Sequence, residues 1–358
     1  MSLAGKILGI TVNKFNQLVD GVLPRFFYKN RALAAFYYMI LHNGFKREFT
    51  SVLAGKAKHL EDSRTENGNY FLLVRNIHRL EKGLLMRPRK AVFAADYISE
   101  TVDSFQKIVT GGIHNSNYQL KWAKDVLEEY FTAVQPGNPV IDEQRIRFND
   151  VKNLYEDASG TDKFVPYKRA VSESPVLFDE YYKLTQRRRS VRWFRPDPVP
   201  RELIDKAILA ANQSPSACNR QPFEFRVFDK KELVEKVMKI PMGTKGYAGN
   251  IPVAIVVVGN LDAYFSERDR HVIYIDASLA SMSLMLALET LGLSSCPINW
   301  PDIESRERQM EELLQLEKYQ RPIMCIGLGY ADEEGMVAFS EKRPLELIRN
   351  YNKCRQDL

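Results

Sequence analysis

Four arginines surround one serine between residues 187 and 194, in the sequence RRRSVRWF. The planar guanidinium group of arginine can bind two phosphate oxygens at once, and a serine hydroxyl adds another donor. The pattern therefore predicts a phosphate-binding run, although a basic turn facing solvent would have the same composition. The arginines are Arg187, Arg188, Arg189 and Arg192, and the serine is Ser190.

A second segment, residues 214–225 (SPSACNRQPFEF), lies between a predicted helix and a predicted strand. Binding loops are common at such junctions. The side chains of Asn219 and Gln221 each carry an amide that both donates and accepts hydrogen bonds. Such amides suit the polar edge of a heterocycle, so we predict a ligand-binding loop. A simple turn is the alternative.

A third segment, residues 292–300 (GLSSCPINW), is predicted to be a loop after a long helix. We expect Gly292 to end that helix, because glycine readily adopts the left-handed conformation of helix C-termini. Pro297 fixes the backbone. Ile298 and Asn299 would then present main-chain groups to a ligand.

The fourth segment is residues 340–347 (SEKRPLEL), in which Lys342 and Arg343 precede a short predicted helix. These two cations either complete a phosphate site or lie on the surface. The sequence leaves both interpretations open.

Residues 272–291 (VIYIDASLASMSLMLALETL) form the element most able to position these segments. Asp276 and Glu289 are their only charges, and small residues recur along them. A helix without a polar face should be buried all round. We predict a central helix between a sheet and a second copy of the chain, and we favour this over a membrane span because of the two charges.

The rest of the C-terminal half alternates between strands and helices. Residues 223–228 alternate apolar and polar side chains, whereas 253–258 and 323–328 are continuously apolar, as expected of covered strands. This order predicts an α/β or α+β layered sheet. Residues 1–175 read as a mostly helical region ending in a polar linker at 157–175, and residues 176–358 as a second domain.

The charge of the chain is uneven. Net charge is +6 over 358 residues, and residues 1–50 contribute +5, from seven Lys/Arg against two acidic residues. A basic, aromatic-rich start suggests weak contact between residues 1–50 and an anionic membrane surface. We favour an ordinary solvated helix face and expect no nucleic-acid partner.

The cysteines and histidines predict neither disulfides nor a metal site. The four cysteines form no CxxC pair, and no secretory signal peptide precedes them, so we expect reduced thiols in a cytoplasmic protein. The five histidines lack metal-ligand spacing.

Together, in this order, the four segments resemble those of the FMN-dependent nitroreductase family. The resemblance covers about residues 183–352. It implies an α+β fold with a mixed sheet sandwiched by helices, and a homodimer formed through the helix at 272–291. FMN would lie at each end of the shared interface. The implied reaction passes a hydride from NAD(P)H through flavin N5 to a nitro, quinone or similar small-molecule acceptor.

The resemblance also implies site residues. The backbone at Ile298 and Asn299 would face flavin N5, as the catalytic positions, while Arg192 would lie near the pyrimidine ring. Asn219 and Gln221 would contact the pyrimidine edge. The full cofactor-binding set is Arg188, Arg189, Ser190, Arg192, Ser216, Asn219, Gln221, Pro297, Ile298, Lys342 and Arg343.

The sequence departs from the family pattern at two places. Ser340 replaces a second basic residue that many members have, so Arg343 is expected to compensate. Asn299 is followed by Trp300 where the family often has glycine, and Trp300 is expected to narrow the space above the flavin.

Two alternatives remain at this point. The protein could bind flavin without turnover, as a sensor or scaffold with residues 1–175 as its interaction module, or it could catalyse a specialised redox step. For the enzyme, we expect residues 1–175 to form a helical cap that shapes the acceptor pocket. Within them, residues 77–84 (IHRLEKGL) combine several charges, which a solvated helix face also explains.

Overall fold

The computed structural model describes residues 18–111, 117–155, 162–169 and 172–354. Part of the predicted linker, 157–161 and 170–171, lies outside these ranges, as do the basic residues Lys6 and Lys14. The helices are α1 (Pro24–Phe27), α2 (Arg31–Phe36), α3 (Lys46–Arg64), α4 (Tyr70–Leu85), α5 (Ile98–Thr110), α6 (Asn117–Ala133), α7 (Pro139–Val151), α8 (Phe178–Arg187), α9 (Arg201–Ala211), α10 (Lys231–Met238), α11 (Val272–Thr290), α12 (Glu304–Leu314) and α13 (Leu345–Ile348).

Four strands form one sheet in the order β1-β2-β4-β3, with every neighbouring pair antiparallel. A parallel bridge between Ser190 and Ser295 adds a short contact outside β3. The α+β prediction is confirmed. The strands are β1 (Phe223–Phe228), β2 (Val253–Asn260), β3 (Ser294–Asn299) and β4 (Gln320–Gly329).

Strand β2 is covered on both faces, as its apolar sequence predicts. Val253, Ile255 and Val257 pack into a core with α9 and α11, while the alternate residues pack into a second core with α10 and α12. Successive side chains of a strand point to opposite faces, so a continuously apolar strand fills two cores at once. The sheet is thereby sandwiched between helices.

Strand β3 corrects the prediction of a loop at 292–301. Residues 294–299 pair with β4 along their whole length. The serines and proline in SSCPIN concealed the strand, since proline is depleted in strands. Pro297 is tolerated because β3 lies at the edge of the four-stranded sheet, where its missing N–H need not serve a neighbour.

Helix α11 ends as predicted at Gly292, which has φ +77°. The N–H of Leu293 donates to the Leu288 carbonyl at 2.9 Å, and that of Gly292 donates to the Glu289 carbonyl at 3.3 Å. This is a Schellman motif, in which a left-handed residue lets two helix-terminal carbonyls find donors. It turns the chain directly into β3.

The expectation that α11 is buried all round holds for one face only in the single chain. Its small residues pack against α9 and the sheet, but Ile275, Leu279 and Met282 are exposed. These positions repeat at helical spacing, so they form one open apolar stripe. The helix Glu267–Thr290 is also the segment, among described residues, that is long and apolar enough to span a membrane by composition alone.

Helices α4 to α7 enclose a core of their own, including Ile77, Phe105, Leu127 and Phe148. Helix α4 begins after Asn69, whose side chain accepts a hydrogen bond from the Leu72 N–H. A glycine often ends a helix, yet α4 continues past Gly83 to Leu85. Gly83 instead makes room for a ring, since a Cβ there would lie 2.2 Å from Phe93 Cε2.

Helix α3 packs on the sheet-containing half, not only on its sequence neighbours. A Cβ at Gly55 would lie 2.6 Å from the carbonyl carbon of Leu261, so glycine allows a close approach. The His59 ring Nδ1 lies 2.7 Å from the Asp262 carbonyl oxygen. The domain boundary near residue 175 remains a prediction, and contacts across it begin as early as α3.

Asp262, at this junction, should make stability depend on pH. Its Oδ1 atom is buried without a hydrogen-bond partner, and burial together with the nearby Asp62 carboxylate raises its pKa to about 7. Between about pH 4 and pH 7 the folded protein therefore holds a proton that the unfolded chain has lost. The free energy of unfolding should fall as the pH rises through this window.

In the variant Asp262→Asn the free energy of unfolding should no longer decrease over this pH range. The variant should therefore be more stable than the wild type at pH 8, by up to about 4 kcal/mol. The difference should shrink at pH 5, where the wild-type carboxyl keeps its proton. Urea unfolding at the two pH values measures it, with Asp269→Asn, whose carboxylate pairs with Arg268, as the control. A difference that is the same at both pH values would contradict the shifted pKa.

Candidate functional site

The arginine-rich run and the C-terminal segment meet in one basic cavity of about 120 Å³. Arg188 and Lys342, far apart in sequence, both line it. Arg343 does not; its guanidinium donates to the Leu347 carbonyl at 2.9 Å, so the expected compensation by Arg343 is not seen. The lining residues are Arg188, Arg189, Ser190, Arg192, Ala338, Phe339, Ser340 and Lys342.

The arginine-rich run is held against β3 and the end of α11. The Val191 N–H donates to the Ser295 carbonyl at 3.1 Å, beside the Ser190–Ser295 bridge. Arg187 pairs with the buried Glu289 carboxylate at 3.3 Å, which places Arg187 outside the cavity. Burial raises the pKa of Glu289, and the charges of Arg187 and Arg188 oppose that rise.

The cavity has the chemistry of an anion site. The Arg188 Nε atom is buried and has no hydrogen-bond partner among the described residues. Four cationic side chains and two hydroxyl-bearing serine positions line the space, and no carboxylate does. A buried donor without an acceptor is costly, so an oxygen-rich anion such as a phosphate group fits here.

The predicted amide loop is also assembled. Ser216 Oγ accepts the Gln221 N–H at 3.0 Å, and the Gln221 side chain donates to Asn219 Oδ1 at 3.2 Å. The Asp276 carboxylate of α11 accepts the Ala217 N–H at 2.9 Å and so anchors the loop. The structure therefore brings Ser216, Asn219 and Gln221 together.

The amide loop holds backbone strain. Cys218, Asn219 and Gln221 have φ values of 56°, 55° and 49°. Holding a non-glycine residue in the left-handed region costs about 1–3 kcal/mol, and such residues cluster at ligand sites. The strain therefore favours a binding loop over a simple turn.

The two groups lie along α11 but apart from each other in one chain. The basic cavity adjoins Glu289, whereas the amide loop is anchored at Asp276. The two anchors are thirteen positions apart on the helix, which is about 20 Å along the axis. One chain therefore holds the basic cavity and the amide loop as two separate groups, which we refer to as half-sites.

The position of Trp300 differs from the expected one, in which its ring would narrow the acceptor space. It is buried, and its Nε1–H donates to Glu307 at 2.9 Å. Glu307 also pairs with the buried Arg321 at 2.8 Å. Trp300 therefore belongs to an internal hydrogen-bonded network. Pro297 and Ile298 lie within β3, and Asn299 at its end is exposed.

Helix α4 contacts the amide loop, a contact that the sequence did not predict. Arg75 of α4 lies over the Phe265 ring at 4.9 Å, and Arg220 of the loop lies over the adjacent Tyr264 ring at 4.8 Å. Arg220 is 5% exposed, and its Nε is unpartnered among the described residues. Helix α4 thus lies beside the amide loop, whereas Arg79 and Glu81 of the charged stretch 77–84 contact Tyr97 and Trp122 of the helical region.

Comparison with known proteins agrees with this architecture. The nitroreductase family model matches residues 185–245 and 240–330. A Methanothermobacter thermautotrophicus protein named NADH dehydrogenase/NAD(P)H nitroreductase is 33% identical over 147 residues, which cover 41% of this chain and 74% of that protein. The chain belongs to the nitroreductase family. As a member it is an oxidoreductase.

One curated relative is named for a different reaction, and one solved structure is also similar to this chain. Human iodotyrosine deiodinase 1 is 26% identical over 214 residues, covering 51% of this chain and 71% of that protein. A solved structure, an FMN-dependent nitroreductase from Clostridium difficile, is 26% identical with a TM-score of 0.41, covering 48% of this chain and 98% of that one. The family therefore includes members named for different reactions.

Proposed function

We propose that this nitroreductase-family protein is an FMN-dependent oxidoreductase that takes a hydride from NAD(P)H and delivers it to a nitro, quinone or similar acceptor. The observation that carries the proposal is the basic cavity with the unpartnered Arg188 Nε. The relative named for NADH dehydrogenase/NAD(P)H nitroreductase activity supports it. That name describes the relative, and the transfer to this chain is ours.

The cavity residues would hold the FMN phosphate, with the Arg188 guanidinium as the main donor and Lys342 as a second cation. Bound FMN would supply the hydride chemistry, while the protein supplies binding and orientation. The amide loop would contact the polar edge of the ring system through Asn219 and Gln221. The end of β3, at Ile298 and Asn299, would offer main-chain groups to the central ring.

We further propose that the complete site forms in a homodimer through α11. The two half-sites of one chain lie about 20 Å apart along this helix, so a second copy would bring the amide loop to the other chain's cavity. The exposed stripe of α11 supplies an apolar surface. Residues 336–354 are exposed throughout, including Phe339 and Tyr351, as expected for an arm that packs on a partner.

The N-terminal helices would act as the cap on the acceptor side. Support comes from the contact between α4 and the amide loop, with Arg75 and Arg220 placed over neighbouring aromatic rings. This arrangement puts a helix of the extension beside residues that would touch the cofactor.

The visible spectrum of the purified protein tests the proposal. Protein supplied with FMN should be yellow, lose colour on anaerobic addition of NADH or NADPH, and regain it with an acceptor. The acceptor panel should contain a nitroarene, a quinone and an iodinated phenol. Protein that stays colourless after FMN addition contradicts the proposal. Protein that is yellow but never bleached by either nucleotide supports the silent sensor or scaffold instead.

A further inference from the structure

Two N-terminal helical segments expose apolar side chains that nothing in the described chain covers. Leu33, Phe36 and Ile40 repeat at helical spacing along α2 and the π-helical turn that follows it. Phe49 and Leu53 repeat along α3. Ile40 and Leu53 are 63% and 66% exposed. We call these five residues, together with Met39, the N-terminal apolar face.

A groove of about 730 Å³ lies between the two segments and is lined mostly by apolar side chains, among them Met39, Phe49 and Leu53 of the N-terminal apolar face. The other three residues of the face lie outside this groove and add exposed apolar surface beside it. Soluble proteins rarely expose large apolar surfaces unless these bind a partner or a membrane. The groove is separate from the basic cavity and from the amide loop.

The charges around this surface indicate which partner it fits. Arg25, Lys29, Arg31 and Lys46 are exposed, and their side chains form no hydrogen bond or ion pair in the part of the chain that the structure describes. Both acids that line the groove are paired: Glu48 lies 3.8 Å from Arg270, and Glu267 lies 2.7 Å from Lys56. Asp20, also nearby, is exposed and lies 3.7 Å from the His42 ring. The surface therefore combines unpaired cations with exposed apolar groups.

We propose that the N-terminal apolar face docks on the surface of an anionic lipid bilayer, with its apolar side chains in the interfacial region and the four cations against the headgroups. Amphipathic segments with exposed aromatic and aliphatic residues and flanking basic residues bind membranes in this way. Binding of a nucleic acid would account for the exposed cations but not for the exposed apolar side chains of Ile40 and Leu53. A second copy of this chain would have to bring matching acids to this surface.

Co-sedimentation of the full-length protein with vesicles tests the proposal. We expect binding to phosphatidylcholine vesicles containing phosphatidylglycerol, little binding to pure phosphatidylcholine, and weakening by salt. Lys29→Gln with Arg31→Gln should weaken binding by about 30-fold, from two lost surface charges. The pair Ile40→Glu and Leu53→Glu should abolish it.

The matched control is Ile146→Glu with Leu154→Glu, which changes two exposed side chains of similar size elsewhere in the helical region. This control should bind like the wild type, and circular dichroism should show that both double variants are folded. Absence of binding to anionic vesicles overturns the proposal. The proposal is also overturned if Ile40→Glu with Leu53→Glu changes only the oligomeric state in sedimentation velocity and leaves vesicle binding intact. It is overturned as well if DNA displaces the vesicles and the same double variant binds DNA as strongly as the wild type. None of these readouts requires flavin or turnover.

Discussion

Replacing Arg188 with glutamine should yield a folded protein that no longer retains FMN through purification. Arg188 is the cavity residue whose Nε is buried without a partner, so its guanidinium is the donor most in need of a ligand oxygen. Hydrogen bonds to charged groups contribute about 1.5–3 kcal/mol each. Loss of a bidentate contact should weaken FMN binding by at least about 100-fold.

Quenching of FMN fluorescence on titration with protein measures this affinity. Arg188→Lys should recover only part of it, because lysine keeps the charge but loses the planar fork. Arg195→Gln is the control, since Arg195 is exposed, pairs with Asp197 and does not line the cavity. Unchanged FMN occupancy in Arg188→Gln would show that the cavity is not part of the FMN site.

The substitution Ile275→Glu should convert the proposed dimer to monomers and remove FMN at the same time. Ile275 is 57% exposed on the open stripe of α11. Burying an unpaired carboxylate in an apolar interface costs several kcal/mol, so the dissociation constant should rise by more than about 100-fold. FMN should be lost with the dimer because each chain supplies two half-sites that lie about 20 Å apart.

Sedimentation velocity at several protein concentrations, monitored at both protein and flavin absorbance, gives the two effects together. Ile146→Glu is the matched control, since Ile146 is a similarly exposed isoleucine on α7. A monomeric variant that keeps FMN would show that one chain is sufficient for binding. A variant that stays dimeric would place the interface elsewhere.

The sequence predicted those parts of the fold that local pattern determines. The continuously apolar β2, the small-residue α11 and the Gly292 terminus all follow from side-chain periodicity and backbone conformational preference. Strand β3 did not follow, because its pairing with β4 outweighs the poor strand propensity of its serines and proline. Long-range pairing with β4, and not local propensity, therefore determines that β3 is a strand.

Long-range packing explains the remaining errors. Trp300 was assigned to the acceptor space, but Glu307 and Arg321 form a buried hydrogen-bonded pair around it that no local signal reveals. Gly83 resembled a helix stop, although it is a contact point for Phe93. The packing of Gly55 on Leu261 joins segments about 200 residues apart and has no counterpart in local periodicity.

The candidate site was predicted in composition but not in geometry. Arg188, Arg189, Ser190 and Arg192 do share one cavity with Lys342, and the amide-loop residues do share one hydrogen-bonded turn. Their roles toward a cofactor remain predictions. No local pattern indicates that Arg343 turns toward Leu347, because two adjacent cations in a sequence cannot be told apart before the backbone directs them to different places.

The edges of the sheet have a consequence for how the protein self-associates. Exposed strand edges are templates for fibril growth. Edge β3 carries Pro297 and is bridged at Ser295 by the arginine-rich run, while edge β1 carries the ion pair of Glu224 and Arg226. Both margins thus resist the addition of another strand, which disfavours polymerisation of this chain through its sheet.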